Sequence, residues 1–202
     1  MNKVIKIEDY PCGSGKTTRM IENFKEDQKY LVILPLLSEI NRVIEASNDV
    51  EFVQPDDKQG TKTDSLESHL LLGKNIATTH EMYERLVPMI RDGLLDDYDI
   101  IIDEVPNVVK SVTSKSRTSI QEFYVDAGYM DVDAGTGLVR PTSKWRQNQE
   151  QVSDTLSPKI QKYAESGCLY LQDGEMFIWA LPQCILSAGN SVTVMTYKAE
   201  GS

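Results

Sequence analysis

The sequence predicts an α/β protein built on a mostly parallel sheet flanked by helices, with an inserted subdomain of helices and a β-hairpin. Three features carry that expectation. Strand-length apolar runs alternate with helix-length segments over the first hundred residues, the rhythm of a parallel sheet with crossover helices. The chain opens on a short β-branched run that passes through a glycine turn into a helix. Beyond residue 110 the rhythm lapses, and strand character of the same kind returns at Ser191–Thr196 (SVTVMT). The expected division is therefore 1–110 with 187–202 for the sheet and 111–186 for the insertion.

Val4, Ile5 and Ile7 form the first strand, and Pro11, Gly13 and Gly15 the turn after it. Lys16, Thr17 and Thr18 open a helix that continues to Phe24, with Met20, Ile21 and Phe24 toward the sheet. Tyr30–Leu34 (YLVIL) is nearly all apolar, as a strand covered on both faces must be, and Pro35 stops it. Ser38 is the expected N-cap of a helix burying Ile40, Val43 and Ile44. Asp49–Val53 reads as another strand, and Gln54–Ser65, with Pro55, Asp56, Asp57 and Gly60, as a surface loop. Leu66–Leu72 reads as a helix closed by Gly73, and Asn75–Thr79 as a strand. From about His80 a helix carries Met82, Leu86 and Val87; Tyr98–Ile102 (YDIII) is the next buried strand and ends on Asp103 and Glu104. Within the insertion, Cys168–Gln172 and Glu175–Leu181 flank Asp173 and Gly174, a two-residue hairpin signal with the chemistry of a type I′ turn.

At 202 residues the chain is long enough for one good core and a small subdomain. Its net charge of −10 argues against holding nucleic acid by bulk charge, which leaves only a local strip of main-chain amides and hydroxyls for that purpose. Cys12, Cys168 and Cys184 are odd in number and far apart, the usage of a reducing cytosol rather than of a disulfide scaffold or zinc site. The apolar runs are strand-sized, so a cytoplasmic location and no membrane partner are expected.

The chemistry begins at the opening turn. Strand, glycine turn and helix N-terminus in that order cradle phosphate: glycines let backbone N–H groups close around the oxyanions, and the helix end and a lysine add positive charge. Pro11, Cys12, Gly13, Ser14, Gly15, Lys16, Thr17 and Thr18 are the expected nucleotide-binding residues, with Lys16 also acting on the transferred phosphate and Thr17 offering a hydroxyl to Mg²⁺. The pattern G-x-x-x-x-G-K-[ST] has Tyr10 in place of its first glycine, which would narrow the loop. The second element is the apolar strand ending in an acidic pair. Asp103 is the expected Mg²⁺ partner, and Glu104 the general base or water-orienting group. Positions 13 and 103 both follow strand ends, where ligands of parallel sheets bind, so they can meet in space.

With these residues the chain resembles the helicase superfamily of P-loop ATPases, the DEAD-like group with a RecA-like domain. GSGKT matches its motif I, and Asp103-Glu104-Val105-Pro106 stands at the DExx position. Val32–Leu37 (VILPLL) with Ser38 and Glu39 resembles motif Ia; Ala77-Thr78-Thr79-His80 resembles a strand-end motif that touches the nucleic-acid backbone; Thr193–Tyr197 (TVMTY) resembles motif III. FIWALP followed by a strand ending in Thr-Tyr is similar to helicase-like proteins encoded by bacteriophages. The resemblance implies ATP and Mg²⁺ as cofactors and single-stranded nucleic acid, DNA by preference, as partner. It also implies contacts to that strand from Pro35, Thr78, Thr79 and His80, and coupling of hydrolysis to movement through Thr196 and Tyr197.

A helicase core has two RecA-like domains, the second supplying an arginine finger. None of Arg19, Arg42, Arg85, Arg91, Arg117, Arg140 or Arg146 stands in a finger motif. The expectation is therefore the first, N-terminal ATPase domain alone, which binds ATP–Mg²⁺, hydrolyses it slowly, and needs a second domain or partner chain for the finger. Two other readings share the same loop. A small phosphotransferase of the nucleotide-kinase kind would need lid arginines, and the insertion has only Arg117, Arg140 and Arg146, scattered. A nucleotide-gated interaction module is the other. Trp145 and Trp179 are candidates for stacking on bases, Trp179 reading more as core because it lies in an alternating hairpin strand.

Overall fold

The computed structural model describes residues 5–11, 13–58, 60–104, 109–112, 120–148 and 158–196. The chain forms two compact units, one made of 1–106 with 183–202 and the other of 107–182.

The first unit opens with strand β1 (Ile5–Asp9) and helix α1 (Lys16–Glu22). Strand β2 (Lys29–Leu34) follows, buried from Tyr30 to Leu34, then helix α2 (Leu37–Ala46). Ser38 does not cap α2. Leu36 takes the N-cap position in extended conformation, its carbonyl accepting from the Glu39 and Ile40 N–H groups, and Ser38 lies inside the first turn. Strand β3 is only Phe52–Val53, shorter than its apolar neighbourhood predicts.

The expected loop 54–65 ends early. Helix α3 (Lys62–Leu71) starts on Thr61, whose hydroxyl accepts from the Asp64 N–H at 3.2 Å while the Asp64 carboxylate accepts from the Thr61 N–H at 2.8 Å. This is a reciprocal capping box with Asp in the place usually held by Glu or Gln, and the shorter acid hides the helix start in the sequence. Gly73, at φ 65°, ends the helix as expected, with Lys74 N–H donating to the His69 carbonyl. Strand β4 (Asn75–Thr79), a 3₁₀ turn (His80–Met82), helix α4 (Tyr83–Arg91) and strand β5 (Tyr98–Asp103) complete this half.

The second unit contains strand β6 (Val109–Val112), a π-helical segment (Gln121–Asp126), strands β7 (Met130–Val132) and β8 (Val139–Pro141), and helices α5 (Ser143–Gln147) and α6 (Pro158–Glu165). Strands β9 (Leu169–Gln172) and β10 (Met176–Ala180) follow. The pairing order β6-β10-β9 makes an antiparallel sheet, and β7 pairs β8. The expected boundary at residue 110 falls inside β6, which pairs with β10, so the unit starts earlier, at 107. Asp173 and Gly174 both have positive φ, 52° and 71°, as a type I′ turn requires. The register pairs Gln172 with Met176, so three residues rather than two separate the paired positions. Trp145 and Trp179 are both buried in this unit and present no face to a base.

The chain then returns to the first unit through helix α7 (Gln183–Leu186) and strand β11 (Ser191–Thr196). Asp99 sets the entry of β11, accepting from the Ser191 hydroxyl at 2.7 Å and the Asn190 side-chain amide at 2.9 Å. The sheet order is β1-β11-β5-β2-β4-β3, and every pairing is parallel. One face packs on α1 and α2 through Met20, Tyr30, Val32, Leu34, Ile40 and Val43. The alternating residues Leu31, Ile33, Ile76, Ile100 and Ile102 are also buried, so the central strands are covered on both faces. Because all six strands run the same way, their carboxyl ends share one edge of the sheet.

Candidate functional site

The register brings those ends nearly flush: Asp9 pairs with Thr196, Met195 with Asp103, Ile33 with Ile102, and Leu34 with Thr79. Along the edge, in order, stand the glycine turn after β1, Thr196 on β11, Asp103 on β5 with Glu104 just past it, Pro35 after β2, and Thr79 on β4. The glycine turn and the acidic pair are therefore not on adjacent strands. With strands about 4.8 Å apart, β1 and β5 are separated by about 10 Å, with β11 between them.

Lys16 closes that gap. Its Nζ lies 3.3 Å from Asp103 Oδ1, and the two side chains are 14% and 3% exposed. The distance is that of an ion pair, yet neither atom makes a hydrogen bond. Ser14 Oγ, in the turn itself, is likewise buried without a hydrogen-bond partner. Buried polar atoms without partners are rare because each forfeits its interaction with water. A hydroxyl, a cation and a carboxylate in this state form the donor and acceptor set that phosphate oxygens and a divalent cation complete, so the residues present fit both groups.

The turn is shaped by its glycines. Gly13 and Gly15 both have φ 76°, and Gly15 is the N-cap of α1. Nothing lies within 4 Å of where a Cβ would stand on either, so the main chain faces open space there. The Ser14 N–H donates to the Pro11 carbonyl at 3.2 Å. Tyr10 does not narrow the turn: its N–H donates to the Thr196 carbonyl and its ring lies 5.4 Å from the Arg19 guanidinium. Thr17 is buried, as a residue facing the interior of the turn would be, whereas Thr18 is exposed and its hydroxyl accepts from Arg42 at 2.7 Å. Cys12, Tyr197, Val105 and Pro106 lie outside the described residues.

Glu104 is exposed and has φ 61°, a left-handed conformation that disfavours an L side chain. Its N–H donates to the Met195 carbonyl at 2.8 Å. β11 thus holds both halves of the site by backbone bonds, Tyr10 through Thr196 and Glu104 through Met195.

Glu39, which the sequence places only in the stretch resembling motif Ia, is not among the expected site residues. It sits in the first turn of α2, half-buried, with its Oε2 buried and without a hydrogen-bond partner. Burial pushes its carboxyl above the usual range; the Asp103 and Glu104 charges add to the rise, while the Leu36 backbone and Lys16 oppose it. Glu39 therefore feels the charges of Asp103, Glu104 and Lys16 together. The signal in the sequence is an acid four residues past Pro35 within the stretch resembling motif Ia, and its place beside Asp103 follows only once β2 is known to lie beside β5.

At the other end of the edge, Thr78 and Thr79 line a cavity of about 440 Å³ together with Gln54 and Thr61, the cations Lys62 and Arg85, and the acids Asp57 and Glu81. Thr78 is buried at its wall, and Thr79 takes the N-cap position of the 3₁₀ turn without a side-chain cap bond. Pro35 is half-buried just past β2, and Leu37, two residues on, reaches the cavity. His80 is not among the lining residues. Its Nε2 is 2.9 Å from the Asp103 carbonyl oxygen, which can only accept, so Nε2 carries the proton.

No family model matches the chain. The SPbeta prophage-derived uncharacterized protein YonV of Bacillus subtilis (strain 168) is 26% identical to it over 205 residues, which cover 96% of this chain and 48% of that protein. The chain thus spans about half the length of the curated relative it matches. Among solved structures, one described as "XPD_APO" aligns over 96% of this chain and 50% of its own, with TM-score 0.47 and 18% identity. Another, "Structure of S. tokodaii Xpd4", aligns over 97% and 53%, with TM-score 0.47 and 14% identity.

Proposed function

We propose that this chain is a nucleoside-triphosphatase domain, the N-terminal RecA-like half of a helicase or translocase acting on single-stranded nucleic acid, with DNA as the expected strand. The observation that carries the reading is the 3.3 Å approach of Lys16 to Asp103 across an intervening strand, which joins the glycine turn and the acidic strand end into one site. Backbone N–H groups of Gly13 and of Gly15–Thr18 and the Lys16 ammonium hold the phosphates, and Ser14 Oγ supplies a further donor. Thr17 and Asp103 would hold Mg²⁺, which when bound neutralises charge on the outer phosphate oxygens. Glu104 orients the attacking water and takes its proton. A second RecA-like domain or a partner chain supplies the arginine finger, without which turnover is slow.

The strand reading draws on the cavity beside β4, where Asp57 and Glu81 balance the charges of Lys62 and Arg85, so that hydroxyl and amide groups rather than net positive charge would meet phosphodiester oxygens. Thr196 and Tyr197 are proposed to pass movement between the two ends, Thr196 through its carbonyl bond to Tyr10.

Binding of a fluorescent ATP analogue with Mg²⁺, and phosphate release with and without single-stranded DNA, test the reading against Glu104→Gln. The expected result is binding in both proteins, slow release in the wild type, and a residual release at least about 100-fold slower in Glu104→Gln. Transfer of phosphate to a nucleotide acceptor would point to a kinase, and tight binding with no release in the wild type to a binding module; either result refutes the hydrolase reading.

A further inference from the structure

The peptide bond between Asp103 and Glu104 is held from both sides. Its N–H, on Glu104, donates to the Met195 carbonyl of β11 at 2.8 Å. Its oxygen, on Asp103, accepts from His80 Nε2 at 2.9 Å. The first bond continues the β5–β11 ladder. The second has an unusual source, because β4, which ends one residue before His80, is not a neighbour of β5; β2 lies between them.

The register explains why a side chain is needed. In a parallel ladder with Ile33 opposite Ile102, the next N–H along β2 toward the Asp103 carbonyl would be that of residue 35. That residue is Pro35, which has no N–H. The carbonyl would otherwise be an acceptor left without its ladder donor, and His80 reaches it across the end of β2. The buried Tyr83 packs against the imidazole, with ring centroids 5.7 Å apart.

The residue that follows this peptide is Glu104 at φ 61°. A non-glycine residue holds a left-handed conformation only where its surroundings over-determine it, and such residues cluster where a side chain must be aimed. Fixing the plane of the preceding peptide at both its oxygen and its hydrogen is that over-determination.

We propose that His80 is a positioning residue for Glu104: its hydrogen bond to the Asp103 carbonyl fixes the peptide from which the Glu104 carboxylate is directed at the attacking water. His80 acts through Glu104 and touches neither nucleotide nor metal. The inference rests on the hydrolase reading above and assigns His80 a role different from contact with a nucleic-acid strand. It also gives the His80 bond a reason, since Pro35 leaves the Asp103 carbonyl without a ladder donor from β2.

The test compares wild type with His80→Phe, which keeps a ring and loses the donor, and with His80→Gln, whose amide offers a donor at similar reach. Each change is also made in a Glu104→Gln background. Affinity for the fluorescent ATP analogue with Mg²⁺ and single-turnover phosphate release are measured separately. His80→Phe is expected to bind the analogue within about 2-fold of wild type and to release phosphate about 10-fold more slowly, a loss of about 1.4 kcal/mol in the transition state. His80→Gln is expected to recover most of that loss. In the Glu104→Gln background His80→Phe is expected to lower the residual rate by less than about 2-fold, because the group it positions is already gone. Unchanged turnover in His80→Phe, equal losses of affinity and rate, or a full 10-fold effect in the Glu104→Gln background would each overturn the proposal. A wild-type protein that does not bind the analogue overturns the hydrolase reading itself, and this inference with it; a wild-type protein that hydrolyses it indifferently to His80 overturns the inference alone.

Discussion

Replacing Lys16 with methionine removes the ammonium and keeps most of the apolar stem. At 3.3 Å from Asp103 the two charges attract by about 5 kcal/mol with an effective dielectric constant near 20. Desolvation of both groups offsets much of that gain, so the net loss is set by what the partner suffers. Asp103 is only 2% exposed, and without Lys16 its carboxylate stays buried without a counter-charge. Breaking a buried pair from one side typically costs about 3–5 kcal/mol; because the 14% exposure of Lys16 admits some water, about 2–4 kcal/mol is expected here. For a chain of this size that lowers Tm by about 4–16 °C. Asp103→Asn leaves a lysine whose flexible stem can carry the charge to solvent, so its cost is smaller, about 1 kcal/mol. The double variant Lys16→Met/Asp103→Asn should return to within about 1 kcal/mol of wild type, a strong non-additivity. Thermal and urea denaturation followed by circular dichroism measure all four proteins. Nucleotide affinity should fall more than about 10-fold in Lys16→Met and stay lost in the double variant, since phosphate needs the cation whatever the state of Asp103. Stability losses that simply add in the double variant would show that the two charges do not face each other, and the single site built from both strand ends would fail.

Gly13→Ala and Gly15→Ala place a methyl in open space at φ 76°, so each should lower stability by only about 1–2 kcal/mol of backbone strain; titration calorimetry should show nucleotide–Mg²⁺ affinity falling by more than about 10-fold. Gly189→Ala is the opposite case: at φ 70° its Cβ would collide with the Tyr98 carbonyl and press on Ile100 at 3.1 Å. A loss above about 3 kcal/mol is expected because the entry of β11 has no room to shift, and urea denaturation checks it. Glu39 sets a pH dependence. Its folded pKa lies above its ordinary value of 4.5, so its contribution to stability is full below about 4.5 and is lost as pH rises through the higher folded value. Glu39→Gln should therefore raise the urea midpoint at pH 7 and leave it unchanged at pH 4, and equal midpoints at both values would contradict the burial of this carboxyl beside Asp103 and Glu104.

Local chain chemistry made much of this protein legible before any coordinates. Gly13 and Gly15 specify a turn with positive φ that opens helix α1 at Lys16, because φ and helix start are decided within a few residues. YLVIL and YDIII announce strands covered on both faces, and Asp173-Gly174 announces a turn with positive φ, for the same reason. What remained hidden depends on which strands become neighbours. The insertion of β11 between β1 and β5, 85 residues or more from either in the chain, turns two strand ends into one site, and no short-range pattern in SVTVMT encodes that position. Glu39 gains meaning only because β2 lies beside β5, and His80 only because Pro35 leaves the Asp103 carbonyl without a donor. Residue identity thus determined what each segment could do alone. Pairing across the sheet, where hydrogen bonds join residues far apart in sequence, decided which of those capacities act together.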